Sequence, residues 1–153
     1  RRLAKELGYT FVDLAQLIVR DQDMSIPDLF SSFGEPYFRE VENRLLQSLP
    51  VNSSLLVATG GGAPCFYDNM DFILRSGLSI FLDVPAGELA ARIRAHARDD
   101  RPLLSGLADL ESELRKKLEE RRQFYSRAHL AVSPDTDMRE FLISLPGWLE
   151  KGE

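Results

Sequence analysis

The chain has 153 residues, of which 44% are hydrophobic and 28% charged, and these values are typical of one ordinary globular domain. Its formal net charge of −5 at pH 7 argues against a nucleic-acid-binding surface, and no apolar run approaches the roughly 18 residues of a membrane span. The single cysteine, Cys65, excludes an internal disulfide and fits a reducing compartment, so we predict a cytoplasmic protein that binds neither nucleic acid nor membrane.

The first third of the chain predicts helices around one short strand. The opening segment RRLAKELGY has helical spacing and ends at Gly8, a residue that commonly ends helices. Residues 10–14 predict a strand and residues 14–22 a helix. Ser25 has the capping chemistry of a helix start, and the segment EPYFREVENRLLQSL after Gly34 predicts an amphipathic helix.

The rest of the chain alternates strands and helices. Its predicted strands are residues 54–59, 78–84 and 129–133, and its predicted helices are residues 68–76, 85–95, 107–128 and 138–152. Residues 96–107 are polar and lack periodicity, so we predict a mobile loop of the kind that forms a lid. Because strand and helix alternate, the fold prediction is an α/β domain whose parallel sheet is covered on both faces.

Three consecutive glycines follow a short apolar run in SLLVATGGGAPC. The run predicts a strand buried on both faces, so Gly60, Gly61 and Gly62 stand at its carboxyl end. Open α/β sheets bind ligands at that end, and glycine lets backbone N–H groups approach a ligand closely. A flexible turn is the alternative. The phosphate-loop pattern G-x-x-x-x-G-K-[ST] does not occur in the chain.

A wound nucleotide-kinase domain begins with a strand that leads into a phosphate loop and then a helix. This chain shows the helix without the strand and loop before it. We therefore expect that both precede Arg1, and that the 153 residues are part of a longer chain.

Five motifs occur in order: FVDL, MSIPDLFSSFGEPYFREVE, ATGGG, RPLL and RRQFY. This series resembles the shikimate kinase family over essentially the whole length of the chain. The resemblance implies one domain over residues 1–153, with the three-layer α/β/α P-loop kinase fold. It also implies transfer of the γ-phosphoryl group of ATP to the 3-hydroxyl of shikimate, with Mg²⁺, in aromatic amino-acid biosynthesis by a cytoplasmic monomer.

The resemblance assigns the shikimate carboxylate to Arg39. Taken alone, Arg39 and Glu42 at i,i+3 predict an exposed helical ion pair. In the family's FRxxE pattern the arginine binds the shikimate carboxylate and the glutamate orients it. The guanidinium suits this role because its planar fork contacts both carboxylate oxygens. By the same resemblance Gly61 donates its backbone N–H to shikimate, and Gly60 and Gly62 permit close approach.

Three further residues receive roles from the resemblance. The spacing R-x-x-x-Y to Tyr125 selects Arg121 as a second carboxylate ligand and leaves Arg122 facing solvent, although a charged helix usually presents a solvated face. Arg101 corresponds to the lid arginine over the ATP phosphates; pinning a turn is the alternative. Asp13 corresponds to the aspartate that helps hold Mg²⁺ through water, and a helix cap is the alternative.

The chain departs from the family at one position. Where the family has D-x-D, this sequence has Asp13-Leu14-Ala15, so the second carboxylate is absent. That group contacts the substrate hydroxyls, and we therefore expect impaired catalysis. Two rival hypotheses are a catalytically impaired protein with a binding or regulatory role, and a kinase of another small hydroxy acid such as gluconate. The triad of Arg39, Gly61 and Arg121 favours a carboxylate substrate.

Overall fold

The computed structural model describes residues 1–96 and 107–150, and the chain divides into two compact units, Arg1–Gly77 and Leu78–Glu153. Each unit contains a two-stranded parallel sheet. In the described ranges no helix is both long enough and apolar enough to cross a lipid bilayer.

The first unit contains two strands and four α-helices. In chain order its elements are α1 (Arg2–Leu7), β1 (Thr10–Asp13), α2 (Leu14–Gln22), α3 (Ile26–Ser48), β2 (Leu55–Ala58), a 3₁₀ turn (Ala63–Cys65) and α4 (Asn69–Ser76). The predicted elements are confirmed, with boundary shifts of one or two residues. The 3₁₀ turn was not predicted, because its three residues are too few to show a period.

Strands β1 and β2 pair in parallel, with Thr10 opposite Leu55 and Asp13 opposite Ala58. Strand β1 ends one residue earlier than predicted. The reason is that the Asp13 carboxylate accepts a hydrogen bond from the Ala15 backbone N–H at 3.0 Å and so caps α2. The chain therefore turns directly from strand to helix at Asp13.

Helix α3 consists of two helical segments joined at Gly34. The Ser25 hydroxyl accepts from the Asp28 backbone N–H at 3.2 Å and caps the first segment, as predicted. Gly34 has φ 83° and ψ 170°, a conformation that strains residues with a Cβ. The second segment begins after this kink, where the sequence predicted it.

The core of the first unit lies between α2, α3 and the 3₁₀ turn. The predicted apolar stripe of α3 faces this core, since Phe38, Val41 and Leu45 are all buried. The core consists of Leu14, Ile18, Leu29, Phe38, Val41, Leu45, Leu46 and Ala63. This packing fixes which face of α3 turns toward the glycine segment.

An exposed ion pair also links α2 to α3. Arg44 donates to the Asp21 carboxylate at 2.6 Å, and this hydrogen bond, with a second from Gln22, lowers the pKa of Asp21. The pair lies at the surface, where such contacts contribute little to stability.

The second unit contains two strands and three α-helices within the described residues. Its elements are β3 (Ile80–Leu82), α5 (Ala86–His96), α6 (Leu107–Tyr125), β4 (Leu130–Val132) and α7 (Met138–Glu150). The ring Nδ1 of His129 accepts from the Ser79 backbone N–H at 3.0 Å, beside the parallel pair. The predicted loop over residues 96–107 is wrong at both ends, since His96 is the last residue of α5 and Leu107 is the first of α6. Residues 97–106, between them, lie outside the described residues.

The prediction of strands buried on both faces is wrong for the described structure. The four residues of β2 are half-buried, and Leu82 of β3 is 69% exposed. The physical reason is that an apolar run predicts a strand but not what packs on its two faces, and the side chains of β2 and β3 are covered only in part.

Candidate active site

The Arg39 side chain is the centre of the candidate site. It is only 11% exposed, and it contacts two glutamates of its own helix. Nη1 donates to Glu42 Oε1 at 2.9 Å, while Nη2 and Nε donate to Glu35 Oε1 at 3.2 and 3.3 Å. Glu42 is 6% exposed, so the alternative of an exposed ion pair is wrong. A buried pair of this kind is expensive to break, because the remaining charge stays desolvated.

These contacts leave one edge of the guanidinium facing the glycine segment. A guanidinium has five N–H donors, and the two glutamates engage Nε and the outer sides of the head group. A Cβ built on Gly62 would lie 2.5 Å from Nη1, 2.6 Å from Nη2 and 2.9 Å from Cζ. These distances place Gly62 at the edge between the two terminal nitrogens. That edge is the one that binds a carboxylate through two parallel hydrogen bonds.

Aromatic rings fix the plane of the guanidinium. The Phe66 ring centroid lies 4.1 Å from Arg39 Cζ, and the Phe38 centroid lies 5.2 Å away. Both distances are within the range of a cation–π contact. The head group is therefore held by two carboxylates and two rings before any ligand binds.

We predict that Gly62→Ala lowers the free energy of unfolding by about 2 kcal/mol or more. The new methyl would force the Arg39 head group away from its position and leave the buried Glu42 carboxylate poorly paired. Gly77→Ala is the matched control, because a Cβ there meets no atom within 4 Å. Chemical denaturation measures both variants. Equal destabilisation of the two would contradict the close packing of Gly62 on Arg39.

Asp13 and the glycines lie at the same end of the first sheet. Asp13 is opposite Ala58 in the parallel register, and Gly60 follows Ala58 by two residues. Gly60 has φ 78°, a left-handed conformation that favours glycine, and Gly61 is exposed. The Asp13 carboxylate caps α2, so the alternative prediction for this residue, a helix cap, is confirmed. Strand carboxyl ends are the usual ligand position in α/β sheets.

The other predicted arginines belong to the second unit. Arg121 is half-buried on α6, and Arg122 is exposed, as predicted. The Tyr125 ring packs on Phe81 of β3 with a centroid distance of 5.0 Å, which sets the rotation of α6 within its unit. Arg101 lies outside the described residues. The structure thus brings Arg39, Glu42 and the glycines together, and it describes Arg121 only within its own unit.

Three site residues escaped the sequence analysis: Glu35, Phe66 and Asn69. Glu35 is four residues before Arg39, so helical spacing was a signal that could have found it. Phe66 and Asn69 reach the site through tertiary contacts with α3, and no local period marks them.

The parallel strands, the capped helix after β1 and the glycine segment at the strand ends define an α/β protein with a candidate ligand site at the carboxyl ends of its strands, and its structural relatives are kinases. Shikimate kinase from Bacteroides thetaiotaomicron has a similar crystal structure, with a TM-score of 0.82 and 32% identity, over 96% of this chain and 87% of that chain. Shikimate kinase from Acinetobacter baumannii in complex with shikimate has a TM-score of 0.77 and 30% identity, over 99% of this chain and 84% of that chain. The chain therefore has the three-layer α/β/α fold of these kinases.

The family follows from sequence similarity. The family model described as shikimate kinase matches residues 1–144. Shikimate kinase of Parabacteroides distasonis is 34% identical over 142 residues, which cover 92% of this chain and 82% of that relative. The chain belongs to the shikimate kinase family, whose members are ATP-dependent transferases acting on shikimate.

Proposed function

We propose that this protein transfers the γ-phosphoryl group of ATP to the 3-hydroxyl of shikimate and releases shikimate 3-phosphate and ADP. The observation that carries the proposal is the Arg39 guanidinium, which two glutamates orient and which lies against the glycine segment at the carboxyl end of the sheet. Shikimate is a carboxylate with hydroxyl groups, and a guanidinium suits its carboxylate. The shikimate complex of a structural relative supports the same substrate.

Each proposed role uses the chemistry of one group. Arg39 binds the carboxylate through its guanidinium, and Glu42 holds the guanidinium in place. Arg121 supplies a second cationic contact to the carboxylate. Gly61 donates its backbone N–H to the substrate, and Gly60 and Gly62 keep the approach free of side chains.

We also propose that Mg²⁺ accompanies ATP and that Asp13 helps hold it through water. Asp13 places a single carboxylate at the carboxyl end of β1, beside the start of α2. That fits Mg²⁺, which proteins bind through one or two carboxylates together with water and nucleotide phosphates. Bound there, the ion would neutralise phosphate charge, and Arg101 would do the same from the predicted lid.

Ala15 supports a second candidate function. Without a carboxylate at this position the acceptor hydroxyl lacks a base on α2. A catalytically impaired protein that binds shikimate for a regulatory purpose, or a kinase of another hydroxy acid, accommodates this change. A cytoplasmic monomer remains our proposal for localisation and assembly.

An acceptor assay tests the proposed function. The assay protein is the chain together with the upstream strand and phosphate loop that the resemblance predicts, called the extended protein below. We expect ADP release to rise above the acceptor-free rate with shikimate and to remain at that rate with gluconate. Shikimate binding without turnover would favour the impaired protein, and turnover with gluconate alone would favour the other kinase.

Variants of two adjacent arginines test the carboxylate site. We expect Arg121→Ala to weaken shikimate binding by about tenfold or more, because a charge-assisted contact is lost. Arg122→Ala is the matched control on the same helix, and its exposed side chain predicts an unchanged affinity. Calorimetric titration with shikimate measures both. Equal losses would refute the role of Arg121.

A further inference from the structure

The side-chain amide of Asn69 connects the glycine segment to α3. It is fully buried, at 0% exposure, in the first turn of α4. Its Nδ2 donates to the backbone carbonyl of Ala63 at 2.9 Å, and its Oδ1 accepts from Asn43 Nδ2 at 2.6 Å. One buried amide therefore joins α4, the 3₁₀ turn and α3. These two hydrogen bonds are called the Asn69 relay below.

Both ends of this relay lie beside the carboxylate-binding edge. Ala63 follows Gly62, the residue that faces the terminal nitrogens of Arg39. Asn43 is four residues after Arg39, so the two share one face of α3. The relay therefore determines how far the glycine segment lies from the guanidinium.

We infer that Asn69 is a positioning residue for substrate binding: it holds the glycine segment against the Arg39 guanidinium, so that Gly61 and Arg39 keep the relative position that the proposed shikimate site needs. The inference rests on the proposed function and adds a residue to it. The alternative is an amide that only stabilises the core, since buried amides are normally hydrogen-bonded. In a variant that still folds, the positioning role predicts weaker shikimate binding, and the purely stabilising role predicts unchanged binding.

Asn69→Asp tests the inference in the extended protein. The carboxylate retains an acceptor for Asn43 but faces the Ala63 carbonyl with a second acceptor, so this bond is lost without a change in side-chain size. We expect KM for shikimate to rise about tenfold, with kcat changed less than threefold and KM for ATP unchanged. Loss of core stability alone would lower the folded fraction and leave both KM values as they are.

A second measurement follows the accessibility of Cys65, next to the glycine segment, and needs no substrate. Cys65 is the single cysteine of the chain and ends the 3₁₀ turn that begins at Ala63. We expect iodoacetamide to alkylate Cys65 about fivefold faster or more in Asn69→Asp, as measured by mass spectrometry of its peptide.

Gln47→Ala is the matched control. Gln47 also links α3 to the start of α4, through an exposed 3.0 Å hydrogen bond to Asp68. We expect it to change neither KM for shikimate nor the alkylation rate. Should Asn69→Asp fail to fold, Asn43→Ala removes the α3 half of the relay and is expected to shift both readouts in the same direction.

The outcomes separate two failures. If the unsubstituted extended protein does not bind shikimate, the proposed function fails; if it binds shikimate without turnover, the calorimetric Kd for each ligand takes the place of its KM. If it binds shikimate and a folded Asn69 variant leaves either KM for shikimate or the alkylation rate unchanged, the positioning role of Asn69 is overturned.

Discussion

Replacing Ala15 by aspartate is expected to raise kcat/KM for shikimate about 100-fold or more in the extended protein. The new carboxylate restores the second acid of D-x-D beside the acceptor hydroxyl. It accepts hydrogen bonds from substrate hydroxyls, and it takes the proton of the attacking hydroxyl during transfer. Both effects favour a substrate with hydroxyl groups at that point.

The local structure accommodates an aspartate at position 15. Residue 15 lies in the first turn of α2, where a negative charge interacts favourably with the helix dipole. The side chain also borders open space, so a larger group meets no packed core. This cavity of about 330 Å³ is lined by Ala15, Gln16, Val19, Arg20 and Ile26. We therefore expect the substitution to leave the fold intact.

Gln16→Asp is the matched control, because it adds the same charge one residue further along the same helix turn. A coupled ADP-release assay compares both variants with shikimate, with gluconate and without acceptor. A rise only for Ala15→Asp with shikimate supports the family activity. If Ala15→Asp stays at the rate of ATP hydrolysis, the site is impaired beyond this residue, and the hypothesis of a binding or regulatory protein gains support.

Replacing Arg39 by lysine is expected to weaken shikimate binding about 30-fold or more and to leave ATP binding within about twofold. Lysine keeps the positive charge next to the buried Glu42, so the variant avoids an unpaired buried carboxylate. What it loses is the planar edge that contacts both oxygens of a carboxylate. Lysine offers a single point of contact instead.

Arg44→Lys is the control for this experiment. Arg44 lies on the same helix, but its side chain is 58% exposed and pairs with Asp21 at the surface. Calorimetry with shikimate and with an ATP analogue measures each ligand separately. A similar loss for both ligands in Arg39→Lys would mean that Arg39 supports the fold rather than the carboxylate.

The family membership and the alanine at position 15 concern different steps, substrate binding and phosphoryl transfer. Membership in the shikimate kinase family gives the fold and the class of reaction. The buried Arg39, which pairs with buried Glu42 and exposed Glu35, is the group that we propose for the carboxylate. Position 15 lacks the chemistry for the hydroxyl that receives phosphate. Binding and transfer are therefore separable, and the two substitutions address one each.

Local sequence features determined most of the secondary structure. The capping serine at position 25, the glycines at positions 8 and 34 and the apolar stripe of α3 act over a few residues, so their effect is readable in sequence order. The motif series determined the family as well, and the site residues that it assigns stay a prediction. Helical spacing placed Glu42 beside Arg39 because residues three apart share a helix face.

Only the tertiary structure decided the environment of those residues. The same spacing allowed an exposed Arg39, and the tertiary structure buries its guanidinium against Phe66, Gly62 and Glu42. The Asn69 relay joins residues 43, 63 and 69, whose separation in sequence hides any pattern. Strand exposure likewise depended on what packs on each strand face, which the apolar run alone did not specify. Local periodicity specifies which residues share a face, and long-range packing specifies what that face meets.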